Sequence, residues 1–348
     1  MDTFNYNYWQ LITVFTVVFF FSIFLLYLYR KYTIKSNSFI AIPVSRSSHN
    51  ISTPTGAGFI VAITYLVITL ALLVIFDFQH TEKITYFYIG ALFSTIYGFY
   101  DDLSDRGTLP KLIVQIILAG WLIFLFNEYL NYVMPFEAMI YRVITMFLLW
   151  FFLVWFSNAI NFMDGIDGML ASGSLLILLS SSILMVLVNI QSVNAFFLSI
   201  LIPILLGFLY FNFSKSKLFL GDSGSLFLAY FLSFFVLETL SQQELNIWAW
   251  IILFSHFLTE TTLTTILRIF LTKDWYKPHK SHAYQNLARI LDDHKKVTLS
   301  SIFFHILWLL PLAYGAILMP NLGFALFLLA SFPVIIITLL YGPLYSKD

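Results

Sequence analysis

Apolar runs of about 20 residues, the length that crosses the hydrocarbon core of a bilayer, recur along the whole chain. They lie near 9–29, 57–76, 84–100, 109–127, 139–157, 168–189, 195–213, 223–240, 247–270, 298–317 and 322–341. Lipid offers backbone groups no partner, so such runs cross it as helices, each closing its own hydrogen bonds. The expected fold is therefore all-α, a polytopic transmembrane bundle of about eleven spans. Composition agrees, with 60% hydrophobic and 10% charged residues, against roughly 25% charged in a soluble domain. Cysteine is absent, which excludes disulfides and thiolate metal sites. The chain has no internal repeat, Gly/Ser linker or low-complexity tail, and 1–348 reads as one membrane domain.

The bases give an orientation. With the amino terminus outside, all of the 18 Lys and Arg except Lys83 and Arg142 fall on one side. The positive-inside rule makes that side, and the carboxyl terminus, cytoplasmic. The first run has no base before it and Arg30, Lys31 and Lys35 behind it, the pattern of an uncleaved signal anchor. Net charge is zero, so nothing points to a nucleic acid.

Polar residues collect in five cytoplasmic loops, 30–58, 100–111, 158–168, 212–225 and 271–296. Asp101 and Asp102 follow directly on the third span, where adjacent carboxylates repel one another unless a cation is near. In NAINFMDGIDG (158–168), Asp164 and Asp167 are three apart and would share a face on a helical turn. Gly165 and Gly168 would let a ligand approach the backbone. Asp222 lies in GDSGS (221–225), a donor-rich helix entry suited to a phosphate. Simpler readings exist for each: a solvated helix end, a capped helix start, an N-cap. The last loop gathers His279, Lys280, His282, Tyr284 and Arg289, which fit a diphosphate, although a polybasic loop also touches anionic lipid. No HExxH or cysteine accompanies the two histidines, which argues against zinc, and the lone membrane histidines His256 and His305 read as structural. Carboxylates suit Mg²⁺ or Mn²⁺. Together with bases at one membrane face they fit phosphoryl chemistry between a water-soluble donor and a lipid.

Two other classes fit parts of this pattern. A transporter for an anionic lipid or sugar would place acids near mid-span and break its helices in pairs; here Pro203 is the clear mid-span proline and the acids of the motifs cluster at one face. An inactive protein that kept a catalytic fold is the second.

The ordered motifs YDDLSD (100–105), NAINFMDGIDG (158–168), GDSGS (221–225) and HKSHAYQ (279–285) resemble those of the polyprenyl-phosphate N-acetylhexosamine-1-phosphate transferases, glycosyltransferase family 4. The earlier RSSHNISTPTGAG (46–58) is similar to that family's first cytoplasmic segment. The last loop looks like the branch that initiates O-antigen and other surface polysaccharides, and lacks the triple histidine of the peptidoglycan branch. The resemblance implies transfer of a sugar 1-phosphate from a UDP-sugar to undecaprenyl phosphate, with release of UMP, at the bacterial inner membrane. The sugar would be N-acetylfucosamine, N-acetylquinovosamine or N-acetylglucosamine. It further implies that Asp222, with Asn161, binds Mg²⁺, and that Asp101 or Asp102 deprotonates or orients the lipid phosphate. A covalent aspartyl step is the alternative. Asn158, Asn161, Asp164 and Asp167 would hold the nucleotide-sugar, and His279, Lys280, His282 and Arg289 the diphosphate. Self-association as a homodimer stays open. Thr55, Ala57, Glu260 and the single Arg268 depart from the family pattern, where arginine, glycine, aspartate and an arginine pair are usual.

Overall fold

The structure is a computed structural model describing residues 8–42, 51–76, 82–104, 107–133, 139–188, 190 and 192–345. The segment 46–50 of the early motif, with Arg46, lies outside these residues. In chain order the elements are α1 (Tyr8–Ser36), β1 (Ile40–Ala41), β2 (Thr53–Pro54), α2 (Ala57–Ile75), α3 (Glu82–Ser104), α4 (Thr108–Leu125), α5 (Asn127–Val133), α6 (Met139–Phe162) and α7 (Met169–Leu187). There follow α8 (Val193–Asn212), α9 (Gly221–Ser241), α10 (Ile247–Leu271), α11 (Ala283–Leu291), α12 (His294–Phe304), α13 (Leu310–Leu318) and α14 (Gly323–Tyr341). A π-turn at His305–Leu309 joins α12 to α13 as one long helix. The two short strands pair antiparallel.

Among the described residues ten helical stretches are long and apolar enough to cross a membrane, so this is a polytopic membrane protein. Eleven were expected, and α3 is the one that falls short. Its 23 residues suffice in length, but tyrosines, glycines and hydroxyl side chains lower its apolarity. The reason is its neighbour: α3 packs along α9, with Gly90 against the Tyr230 ring and Gly98 against the start of α9. A surface that faces protein has no need of a lipid-soluble coat.

Helix α9 is the hub. Of its most apolar stretch 89% is buried, against 17% for that of α1 at the periphery. Aromatic rings fill the space around it, as in Tyr65–Phe231 (centroids 5.0 Å apart) and Phe87–Phe234 (4.7 Å).

Alternating chain direction brings the ends of α3, α6, α8 and α10 and the starts of α2, α4, α7 and α9 together at one end of the bundle. There the Gly58 N–H donates to Leu220 O (2.8 Å), and a Cβ on Gly58 would lie 2.2 Å from Gly224 Cα. That close approach seats the start of α2 on the start of α9. Ala57 and Thr55, two departures from the family pattern, are built into the same junction. Ala57 is fully buried with its N–H on Phe219 O (3.1 Å), and Thr55 O accepts from the Tyr29 hydroxyl (2.6 Å).

Candidate active site

The start of α9 organises the site. Leu220, before its first turn, has no polar side chain to satisfy the free N–H groups, and none in its own loop does so. Asp102 of α3 takes that role. Its Oδ1 accepts from Asp222 N (2.7 Å), and its Oδ2 from Ser223 N (3.1 Å) and Ser223 Oγ (2.8 Å). Gly221, at φ +76°, makes room: a Cβ there would lie 2.5 Å from Asp102 Oδ1. The helix entry expected to suit a phosphate thus holds a carboxylate of the chain itself. Both oxygens of Asp102 are committed to a cap. Asp101, one position earlier on the helix, points elsewhere; it is buried and within hydrogen-bonding reach of Asp222.

Asp222 and Asn161 converge on one cation. Lys111, in the first turn of α4, donates from Nζ to Asn161 Oδ1 (2.8 Å) and pairs with Asp222 Oδ1. Ser225 Oγ also donates to Asn161 Oδ1 (2.9 Å). From sequence, Lys111 is only one of the cytoplasmic bases. The available signal was its place, a lone base in the first turn of an apolar span just after the Asp-Asp motif.

The four residues 158, 161, 164 and 167 do not act alike. Asn158 faces protein, donating to Gln115 Oε1 (2.8 Å) and Val154 O (2.9 Å). Residues 163–168 form a turn between α6 and α7, so the expected shared helical face of Asp164 and Asp167 is absent. Asp164 is exposed, with protein packed around it on its inner side. That setting, then the charges of Asp222 and Asp102, push its carboxyl above the usual range. Asp167 accepts from Ser216 N (3.2 Å), pairs with His294 Nδ1 (3.5 Å), and its carbonyl accepts from Thr298 Oγ1 (2.9 Å). Burial pushes its carboxyl up, but the His294 and Ser216 hydrogen bonds outweigh this and hold it below the usual range. It fastens the turn to α12. The space beside Gly165, expected to admit a ligand, is filled by Tyr284, whose hydroxyl donates to Phe162 O, and by Gln285.

The histidine loop packs on this turn. His282 stacks on His279 (4.9 Å) and lies 5.7 Å from the Phe162 ring. His279 Nδ1 accepts from Ser281 N (3.3 Å), which puts the ring proton on Nε2. Burial, then the charges of His282 and Arg268, pull the His279 pKa down to about 3, so the ring is neutral near pH 7. His282 Nδ1 meets Glu260 Oε2 at 2.8 Å, with both side chains 3% exposed. Arg289, expected to meet a diphosphate, is exposed and bound to its own loop through Lys280 O (2.9 Å) and Asn286 Oδ1. Lys280 lends its carbonyl to that contact.

One end of the bundle therefore gathers Asp101, Asp102, Lys111, Asn161, Asp164 and Asp222, with the His279–His282 stack beside them. Residues 84–240 match Glycosyl transferase family 4. The chain is 30% identical over 223 residues to a probable undecaprenyl-phosphate N-acetylglucosaminyl 1-phosphate transferase of Bacillus subtilis (strain 168), covering 62% of each chain. It is 29% identical over 202 residues to a phospho-N-acetylmuramoyl-pentapeptide-transferase of Lactococcus lactis subsp. cremoris (strain MG1363), covering 55% of this chain and 60% of that one. A protein with the latter name from Streptococcus pneumoniae (strain CGSP14) is 34% identical over 186 residues, covering 50% and 56%. The chain thus spans about 60% of the length of these curated relatives. The stretch that is similar to glycosyl transferase family 4 runs from α3 to α9 and contains every residue of the Lys111–Asp222 cluster.

Proposed function

We propose that this protein transfers an N-acetylhexosamine 1-phosphate from a UDP-sugar to undecaprenyl phosphate, releasing UMP, to begin O-antigen or another surface polysaccharide. The observation that carries this reading is the convergence of Asp222 and Asn161 oxygens on a single cation at the mouth of a membrane bundle. Names of similar proteins support the reaction class, and the Bacillus relative supports N-acetylglucosamine as one donor. N-acetylfucosamine and N-acetylquinovosamine are the other candidates, on the likeness of HKSHAYQ to the surface-polysaccharide branch. The site would face the cytoplasm of a bacterial inner membrane.

The reaction brings two anions together, the lipid phosphate and the donor's β-phosphate. Lys111 would lower that repulsion, since positioning and charge stabilisation dominate phosphoryl transfer. Asp101 would orient the lipid phosphate or take its proton, since the Asp102 oxygens already accept from the start of α9. Among the described residues no three His, Cys, Asp or Glu side chains form a ready metal cage. Mg²⁺ suits such a place, for it keeps waters and binds through one or two carboxylates plus substrate phosphates. Asp222 and Asn161 would hold it once Lys111, which occupies Asp222 Oδ1 and Asn161 Oδ1, turns to the phosphates, and it would supply charge that neutralises the diphosphate and the leaving UMP. His279, with its proton on Nε2, would donate to a phosphate oxygen. Gln285 Oε1 is buried without a partner beside the Asp164 turn, and a sugar N–H or hydroxyl would satisfy it. An apolar cavity of about 540 Å³ lies in the half of the bundle away from this site, between α5, α6, the end of α9 and the start of α10, lined in part by Phe152, Phe156, Val236, Trp250 and Phe254, and would take only the distal part of the isoprenoid chain.

The test is to incubate membranes holding the protein with undecaprenyl phosphate and a panel of UDP-N-acetylhexosamines. One donor should give UMP and a lipid-linked sugar in a Mg²⁺-dependent way. No product from any donor would overturn the reading.

A further inference from the structure

Glu260 is a buried acid on a membrane helix, and no step above uses it. A carboxylate in that position is costly and is kept for a reason. Its two oxygens are divided between tasks. Oε1 accepts from Ala283 N (2.8 Å) and Thr264 Oγ1 (3.3 Å), and Oε2 lies 2.8 Å from His282 Nδ1. An ionised carboxylate accepts and never donates, so His282 must carry a proton on Nδ1. Its Nε2 is then the ring nitrogen without a proton, on a side chain that is 3% exposed. The neighbouring His279, stacked on it, has the opposite arrangement, with Nδ1 accepting from Ser281 N.

We propose that Glu260 is a positioning residue, which through its paired contacts with His282 Nδ1 and Ala283 N fixes the ring of His282 with its proton on Nδ1, so that the Nε2 lone pair can take a proton from the attacking phosphate. The contact is also geometric. The Ala283 N–H is the first of α11, whose Tyr284 and Gln285 pack on Gly165 beside Asp164. One carboxylate thus sets the start of the helix and the face of the imidazole. Carboxylates that hold a histidine in this way govern its tautomer, and their neutral isostere leaves the shape while changing the proton.

Glutamine makes this testable. In Glu260→Gln the Ala283 N–H still needs an acceptor, so the amide oxygen must face it. The amide NH₂ then faces His282 Nδ1, which can only accept, and the ring proton moves to Nε2. Glu260→Asp keeps an acceptor on both sides and should keep the Nδ1 proton.

The first readout is the ¹⁵N spectrum of histidine-labelled full-length protein in lipid nanodiscs. His282→Asn identifies the signal among the seven histidines. The expected result is a protonated Nδ1 in the wild type and in Glu260→Asp, and an unprotonated Nδ1 in Glu260→Gln. An unprotonated Nδ1 in the wild type overturns the proposal, and so does an unchanged tautomer in folded Glu260→Gln. Because the wild-type spectrum alone can overturn it, a variant that fails to fold does not protect the idea. The second readout rests on the transferase reading. Glu260→Gln should lower kcat by about 10²-fold, the scale of one general acid or base, with KM for the UDP-sugar little changed, and Glu260→Asp should recover part of it. A shifted tautomer with unchanged kcat overturns the positioning role. Wild-type protein that releases no UMP with any donor counts against the transferase reading instead, and the tautomer result stands apart from it.

Discussion

Each end of the bundle pairs a lysine with a carboxylate on α9, and the two pairs are built differently. At the end where α9 finishes, Lys83 Nζ lies 3.4 Å from Glu238 Oε2. Glu238 also accepts from Gln242 Nε2 (3.2 Å) and Ser241 Oγ (3.4 Å), both within one turn of it. Nearby Glu244 accepts from Asn194 Nδ2 at 3.2 Å. Each acid there has neutral donors close by. At the end where α9 starts, Lys111 bridges Asn161 and Asp222, and Asp101, Asp102 and Asp164 crowd the same place. Crowded carboxylates cost desolvation and mutual repulsion. Folds retain such arrangements where chemistry uses them. One end is a clamp, and the other holds negative charge in surplus.

The largest expected effect tests that contrast directly. Asp222→Asn keeps the shape of the side chain and removes the charge facing Lys111. Turnover should fall roughly 10²–10³-fold, the range for one well-placed charge-stabilising group, while the protein still inserts and melts near the wild-type temperature. Kinetics with the active donor and a melting curve in detergent are the two measurements. Turnover within a few-fold of wild type would place the surplus charge outside the chemistry.

A smaller effect separates the two neighbouring aspartates. If Asp102 is a cap, Asp102→Asn should cost stability: the asparagine keeps one acceptor oxygen but sets an NH₂ against the N–H donors of Asp222 or Ser223. A lost cap is worth about 1–2 kcal/mol, read as a lower melting temperature, with a loss of turnover smaller than that of Asp222→Asn. Unchanged melting with a collapse in turnover would return Asp102 to the chemistry.

Much of the fold was legible because apolar length is a local property. The runs read near 57–76 and 247–270 are α2 (Ala57–Ile75) and α10 (Ile247–Leu271) almost to the residue. The run read near 84–100 is also a helix, α3, but it is less apolar than the other ten, since its polar face is written for α9 and not for lipid. The site was legible as a set of motifs and not as a set of partners. That Asp102 caps a helix 120 residues away is a fact of packing, which adjacency in sequence hides. Asp164 and Asp167 looked like a helical pair because spacing was the only guide; the glycines between and after them make a turn instead. Glu260 stood out as a departure from a pattern, and its contact with His282 came only with the folded chain.

The smallest expected effect lies at the clamp. Lys83 is 36% exposed on its side chain, so its pair with Glu238 is screened by water. Its ammonium also lies 5.1 Å from the centre of the Phe126 ring, a contact of modest worth at an exposed site. In Lys83→Met the carboxylate of Glu238, 12% exposed, keeps Gln242 and Ser241 as donors and is not left bare. The loss should therefore be no more than about 1 kcal/mol, a small drop in melting temperature that shrinks further in high salt. Turnover and KM should match the wild type, because nothing at this end touches the Lys111 cluster. A clear fall in kcat with melting unchanged would mean that α9 carries strain from one end to the other. The clamp would then be part of the site's machinery, and the contrast between the two ends would have to be redrawn.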